Sequence, residues 1–338
     1  MELQATQNER INWWKSTAFF LMHLAPFAVF LTGITVSDVL LCIALYLVRM
    51  FFVTAGYHRY FAHRSYKMGR VMQFVMAFGA STAAQKGVLW WAGYHRHHHL
   101  YSDQPKDIHS PVRGFWWSHV GWILCDKYKP TPTELIQDFA KYPELRFLNR
   151  FHLLPPTLLG ASVLVLGGPS ALVVGFFLST VLLYHGTFVI NSLTHIIGRR
   201  RYVTQDSSRN SLVLALLTLG EGWHNNHHYY RSATKQGFFW WEIDVTYYVL
   251  KLLSWFGLVW DLRAPPRQLL RVGRVKDGLF DVGVFQVHRE RALRAIERLR
   301  GKSGAYVERK RARLQRFIEA THEKAEEIAR QTSGHPSF

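Results

Sequence analysis

The stretch 16-STAFFLMHLAPFAVFLTGITVSDVLLCIALYLV-48 contains no Lys or Arg. Its apolar content suffices for two spans, about 17–36 and 39–55, each near the ~20 residues that cross a bilayer. The polar tip between them lies around Thr35-Val36-Ser37-Asp38. A cleaved signal peptide fits poorly: the segment is too long, has no small-residue cleavage pattern, and a second span follows at once. A second stretch free of positive charge runs from Phe151 to Gly198 and divides at Gly167-Gly168-Pro169-Ser170 into segments at about 153–166 and 171–190. The pattern predicts an all-α membrane protein with four transmembrane helices in two hairpins, capped by a helical cytoplasmic domain rich in histidine. Lys and Arg fall in the N-terminal segment, in about 50–150 and beyond 198. The positive-inside rule then makes the chain multi-pass, with both termini and the histidine clusters cytoplasmic.

Two further apolar runs read differently. Val71–Gly93 carries Ser81, Thr82, Gln85 and Lys86, and fits a buried or interfacial helix better than a span. In 237–262, Glu242, Asp244, Lys251 and Asp261 argue against a fifth span. The chain thus divides into an N-terminal arm (1–15), a membrane and histidine-bearing unit (16–266) and a basic helical extension (267–338). The extension reads as two helices broken at Gly301–Gly304, with Leu293, Ile296 and Arg300 on one flank of the first and Leu314, Phe317 and Ile318 as an apolar edge of the second. A solvated hairpin is its simplest reading, and docking on anionic lipid or a partner protein the alternative.

Net charge is +18 and aromatic content 15%. No zinc-finger, basic-zipper or RRM pattern accompanies the charge, so nucleic acid is not an expected partner. Cys42 and Cys125 are the two cysteines, too few for a disulfide framework or a thiolate zinc module.

The histidines are clustered. His224, His227 and His228 stand at i, i+3 and i+4, as do His95, His98 and His99, and that spacing shares one helical face. His58 and His63 lie five apart, which does not give one helical face; if both bind metal, the helix is expected to end or distort between them. His195 supplies a ninth, one turn after Asn191. His23, His109, His119, His152 and His185 stand alone and read as structural. Nine imidazoles are too many for one tetrahedral ion and suit two metals. Fe, Zn, Cu and Ni all accept imidazole. A site at a membrane surface is placed to act on an apolar chain, and attack on an unactivated C–H bond needs a redox metal, which zinc is not.

His58-Arg-Tyr-Phe-Ala-His63, His95-Arg-His-His-His99 and His224-Asn-Asn-His-His228 resemble the three histidine boxes of the integral-membrane fatty acid desaturases, most closely the Δ9 (stearoyl-CoA) branch. Asn191-Ser-Leu-Thr-His195, Lys86-Gly-Val-Leu-Trp-Trp91, Gly114-Phe-Trp-Trp117 and Gly220-Glu-Gly-Trp-His224 extend the likeness, which covers about 34–266. The resemblance implies two ferrous ions held by His58, His63, His95, His98, His99, His195, His224, His227 and His228, with Asn191 contacting one iron through a water. His97 is the variable box position and is not an expected ligand. It implies insertion of a cis double bond, at Δ9, into a saturated acyl chain with O2 and two electrons. No haem signature of a fused cytochrome b5 is present, so the electrons come from a separate donor such as ferredoxin with its reductase. Gly93-Tyr94 stands where the acyl-CoA branch has Arg-Asp, which leaves acyl-CoA, acyl-ACP and acyl-lipid all open. Tyr46 matches the residue closing the far end of the acyl tunnel. A fatty acyl hydroxylase or other membrane di-iron oxygenase is the alternative within this chemistry, and a histidine-rich metal-binding or transport protein the alternative outside it.

Overall fold

In a computed structural model of the chain, residues 9–275, 292–293, 295–299 and 304–333 are described. Most of the N-terminal arm and residues 276–291 of the extension lie outside them.

The membrane part corrects the expected four spans in two hairpins. Among the described residues, three helices are long and apolar enough to cross a bilayer: Trp14–Thr32, Val36–Ala62 and Leu154–His195. The segments expected separately at 153–166 and 171–190 belong to one helical run of 42 residues. Of the Gly167-Gly168-Pro169-Ser170 stretch read as a loop, only Gly168 leaves helical dihedrals, at φ 78° and ψ −174°. Glycine reaches that φ without a Cβ clash, so one residue makes the break where a loop was expected. The Val36–Ala62 helix also outruns its expected end at 55. It starts from a capping box: Thr35 Oγ1 accepts from Asp38 N, and Asp38 accepts from Thr35 N at 2.9 Å.

Buried Arg49 ties this helix to the last run. Its guanidinium donates to Ser179 Oγ at 2.5 Å and Thr180 Oγ1 at 2.7 Å. A cation at that depth is tolerable only with such partners. Trp14–Thr32, by contrast, has Ser16 as its one buried residue.

Among the other described helices, Ala305–Ser333 is long enough to span but too densely charged, and the rest are too short. Val71–Gly93 is split between Arg70–Ser81 and Val88–Tyr101 by a turn in which Ala84 and Lys86 take φ of 55° and 70°. The aromatic-rich 237–262 stretch holds one helix of 11 residues, Val245–Trp255. A short antiparallel ladder, Lys67–Met68 with Val259–Trp260, brings the end of that stretch back to the first box. Tyr57, Phe61, Met76, Val88, Ile136 and Leu145 lie in the largest buried cluster, directly behind the first two boxes.

Candidate metal centre

Histidines five apart cannot share a face at 3.6 residues per turn. The chain solves this locally, because Phe52–Ala62 is a π-helix, whose i→i+5 bonds bring residues five apart into line. His63 N donates to His58 O at 3.2 Å and caps the helix end. The freed carbonyls of that end are met by Arg96, inside the second box. Its guanidinium donates to Phe61 O at 2.7 Å and Ala62 O at 3.0 Å, and pairs with Asp138 at 2.9 Å. The box arginine is therefore a clamp between two boxes.

The second box rides on Val88–Tyr101, whose free N–H groups at Leu89 and Trp90 donate to Asn149 Oδ1 at 3.1 and 2.9 Å. The third box is a helix of six residues, His224–Tyr229, too short to persist alone. Its two asparagines supply the support. Asn225 Oδ1 accepts from Arg201 N at 2.8 Å and Tyr202 N at 2.7 Å. Asn226 Nδ2 donates to Gln236 O at 3.0 Å and Glu242 Oε2 at 2.8 Å. Gly222 lets the preceding turn pass so close that a Cβ there would sit 2.1 Å from Ala215 N.

The three boxes and His195 meet in two groups. His58, His63, His95, His99 and His227 form one, and His98, His195, His224 and His228 the other, with candidate ligand atoms within 4.8 Å of one another in each. In the first group His63 and His95 Nε2 are 2.9 Å apart, His95 and His99 3.0 Å, His99 and His227 3.0 Å, and His58 and His227 3.1 Å. In the second, His195 and His224 Nε2 are 3.0 Å apart. Each group brings enough imidazole nitrogens together to hold one metal ion. His228 Nε2, buried in the second group, has no hydrogen-bond partner among the described residues. His97 belongs to neither group.

Behind the rings stand carboxylates that box spacing does not reveal. His58 Nδ1 faces Glu221 at 2.6 Å, His98 Nδ1 Asp107 at 3.0 Å, His195 Nδ1 Asp103 at 3.1 Å and His228 Nδ1 Asp206 at 2.7 Å. A carboxylate on Nδ1 fixes the tautomer that leaves Nε2 free for a metal. Glu221 adjoins the third box and Asp103 and Asp107 follow the second within a few residues; Asp206 carries no local signal. Burial, reinforced by neighbouring imidazoles, holds His63, His95, His99, His224 and His227 well below the ordinary histidine range, so they are neutral at pH 7. Burial would raise Glu221, but His58 and Arg59 outweigh it and hold the carboxyl at about 2. Asp107 and Asp206 are likewise held down against burial by His98 and His228 respectively. The neutral rings and ionised carboxylates are the protonation states a metal site requires.

A cavity of about 290 Å³ reaches His95 from an apolar corridor that includes Phe19, Met22, Trp91, Tyr184 and Phe188. Asn191 and His109 share its wall, and Lys15, Lys86 and Lys129 line it too. His109, read as structural from its isolation, is buried and stacked on His98 with ring centroids 4.3 Å apart. Tyr46 is not on this wall; its hydroxyl donates to Leu217 O at 2.8 Å beside Gly186. His119, His185 and His23 form a hydrogen-bonded row elsewhere, at 2.9 and 3.3 Å.

Comparison with known proteins agrees with this arrangement. Residues 35–250 match the fatty acid desaturase family. The chain is 34% identical over 268 residues to the sn-1 stearoyl-lipid 9-desaturase of Anabaena variabilis, covering 78% of this chain and 98% of that protein. It is 37% identical to the acyl-CoA C20 Delta5-desaturase of Anemone leveillei, over 66% of this chain and 73% of the relative. Against Delta-9 acyl-lipid desaturase 2 of Arabidopsis thaliana the identity is 36%, over 76% and 84%. With all three boxes inside the matched region and its apolar helices long enough to cross a bilayer, the chain is an integral-membrane oxidoreductase that belongs to the fatty acid desaturase family.

Proposed function

We propose that the protein inserts a cis double bond, at the Δ9 position, into a saturated acyl chain, consuming O2, two electrons and two protons and releasing two waters. One observation carries this reading: two adjacent groups of histidine nitrogens, backed by carboxylates, meet the wall of an apolar cavity at His95. Each group would hold one Fe2+, with His58, His63, His95, His99 and His227 at one and His98, His195, His224 and His228 at the other. Asn191 would reach one of them through a water. Iron, when bound, supplies the O2 chemistry that abstraction from an unactivated methylene requires. The chain's residues do the rest. The carboxylates hold the rings with Nε2 inward, the apolar corridor excludes water, and its shape sets which methylene pair lies nearest His95, a form of proximity control.

Relatives named for lipid-linked and CoA-linked substrates both support an acyl substrate; its carrier would be CoA, ACP or a lipid. An external donor such as ferredoxin and its reductase would supply the electrons. The proposed arrangement is multi-pass, with both termini and the boxes cytoplasmic, 16–266 as the catalytic unit and 267–338 as an extension. Tyr46, which does not line the cavity, would limit acyl length only by closing the acyl path beyond it, beside Gly186.

Gas chromatography of fatty acids from a host expressing the chain tests this, with His227→Ala and Tyr46→Ala alongside. A new monounsaturated acid with two irons per chain, lost in His227→Ala, is expected. A hydroxy acid would favour an oxygenase, and metal uptake without O2 consumption would sink the enzyme reading. Unchanged chain-length preference in Tyr46→Ala would remove that residue's role.

A further inference from the structure

The Ala305–Ser333 helix lies outside the region matched to the family. Tyr306, Arg309, Lys310, Arg313, Leu314 and Phe317 recur at three- and four-residue steps, so one face mixes aromatic, aliphatic and cationic side chains. Together with Ala292 they line a groove of about 660 Å³. Ile318, on the neighbouring flank, is buried, whereas Tyr306 stays 68% and Phe317 43% exposed. Leu314, four residues before Ile318, shares that packed edge, while Tyr306, Arg309, Lys310, Arg313 and Phe317 remain exposed beside it.

The charge order along this helix is wrong for its own stability. Arg309, Lys310, Arg311, Arg313 and Arg316 crowd its first half, while Glu319, Glu323, Glu326 and Glu327 follow in the second. Arg309 and Arg313, like Glu319 and Glu323, stand four residues apart and repel, and Arg313 also meets Lys310 and Arg316 at three-residue spacing. Among the described residues Arg311 pairs with Glu308 at 3.2 Å and donates to Leu299 O at 2.8 Å. An arrangement that weakens the isolated helix is explained if anions outside the chain meet its first half. In an integral-membrane protein a bilayer surface is always within reach, and a stripe of Tyr and Phe among Arg and Lys suits the headgroup boundary: rings and stems enter while the cations meet phosphates.

We infer that the face of the 305–318 segment bearing Tyr306, Arg309, Lys310, Arg313 and Phe317 docks on the anionic surface of the bilayer that holds the protein. The test is hydrogen–deuterium exchange on the full-length chain in nanodiscs, one copy per disc, comparing pure phosphatidylcholine with a mixture containing phosphatidylglycerol. Exchange across 305–318 should slow by about tenfold or more in the anionic disc and lose that difference in high salt. Arg309→Gln, Lys310→Gln and Arg313→Gln together should abolish the difference; Glu319→Gln with Glu323→Gln should leave it. Because each variant is compared with itself across two lipids, a change in helix stability alone does not mimic the effect. Equal exchange in both discs overturns the inference. So does protection that appears only with two copies per disc, which would mean self-association, or only on adding an acidic ferredoxin, which would mean a protein partner.

Discussion

At the scale of single residues, the box histidines depend on neighbours that the boxes do not contain. Asp206 illustrates this. It accepts from Ser208 N at 3.0 Å and Thr204 Oγ1 at 3.0 Å, and offers its other oxygen to His228 Nδ1 at 2.7 Å. Asp206→Asn keeps the shape and removes the charge. Outer carboxylates of this kind are worth about 10–100-fold in metal affinity. Iron retention against a competing chelator should fall by that factor while the fold survives; retention equal to wild type would show that Asp206 does not hold the ring.

At the scale of elements, the π-helix and its clamp decide whether the first two boxes meet. Arg96 spreads its donors over Phe61 O, Ala62 O, Leu135 O and Asp138. A lysine ammonium is a single point and cannot span these acceptors. Arg96→Lys should therefore lower stability by about 1.5–3 kcal/mol, the range for a hydrogen bond to a charged group. It should also loosen His63, whose helix end it no longer fastens. Thermal unfolding of the metal-free protein reads the first effect, and an unchanged midpoint would contradict the clamp. Box spacing displays the mismatch between His58 and His63, but the π-helix that resolves it rests on Arg96 and on packing from residues as distant as Ile136.

Across the whole molecule, neutral imidazoles in one buried place make stability depend on pH. His63, His95, His99, His224 and His227 have folded values well below 6.5, while the unfolded chain titrates near 6.5. Below about 6.5 the unfolded state binds protons that the folded state refuses, so the contribution present above that pH is lost as pH falls. The unfolding midpoint of the metal-free protein should drop steadily from pH 7 to pH 5, and replacing one group member by Gln should flatten the slope. A midpoint independent of pH over that window would mean that the rings are solvated.

The sequence by itself determined the histidine clusters to look for and the apolar stretches, because imidazole spacing and hydropathy are local properties. It also marked 71–93 and 237–262 as poor spans, because their polar residues are countable. Only the tertiary structure decided how the stretch opened by Phe151 is built. There one residue, Gly168, does the work of an expected loop, and backbone dihedrals leave little trace in composition. It alone divided the nine histidines into groups of five and four, pairing His98 with His195 and separating it from its box neighbours His95 and His99. Helical phase allows three residues to share a face; which partner each one meets depends on how distant helices pack against that face.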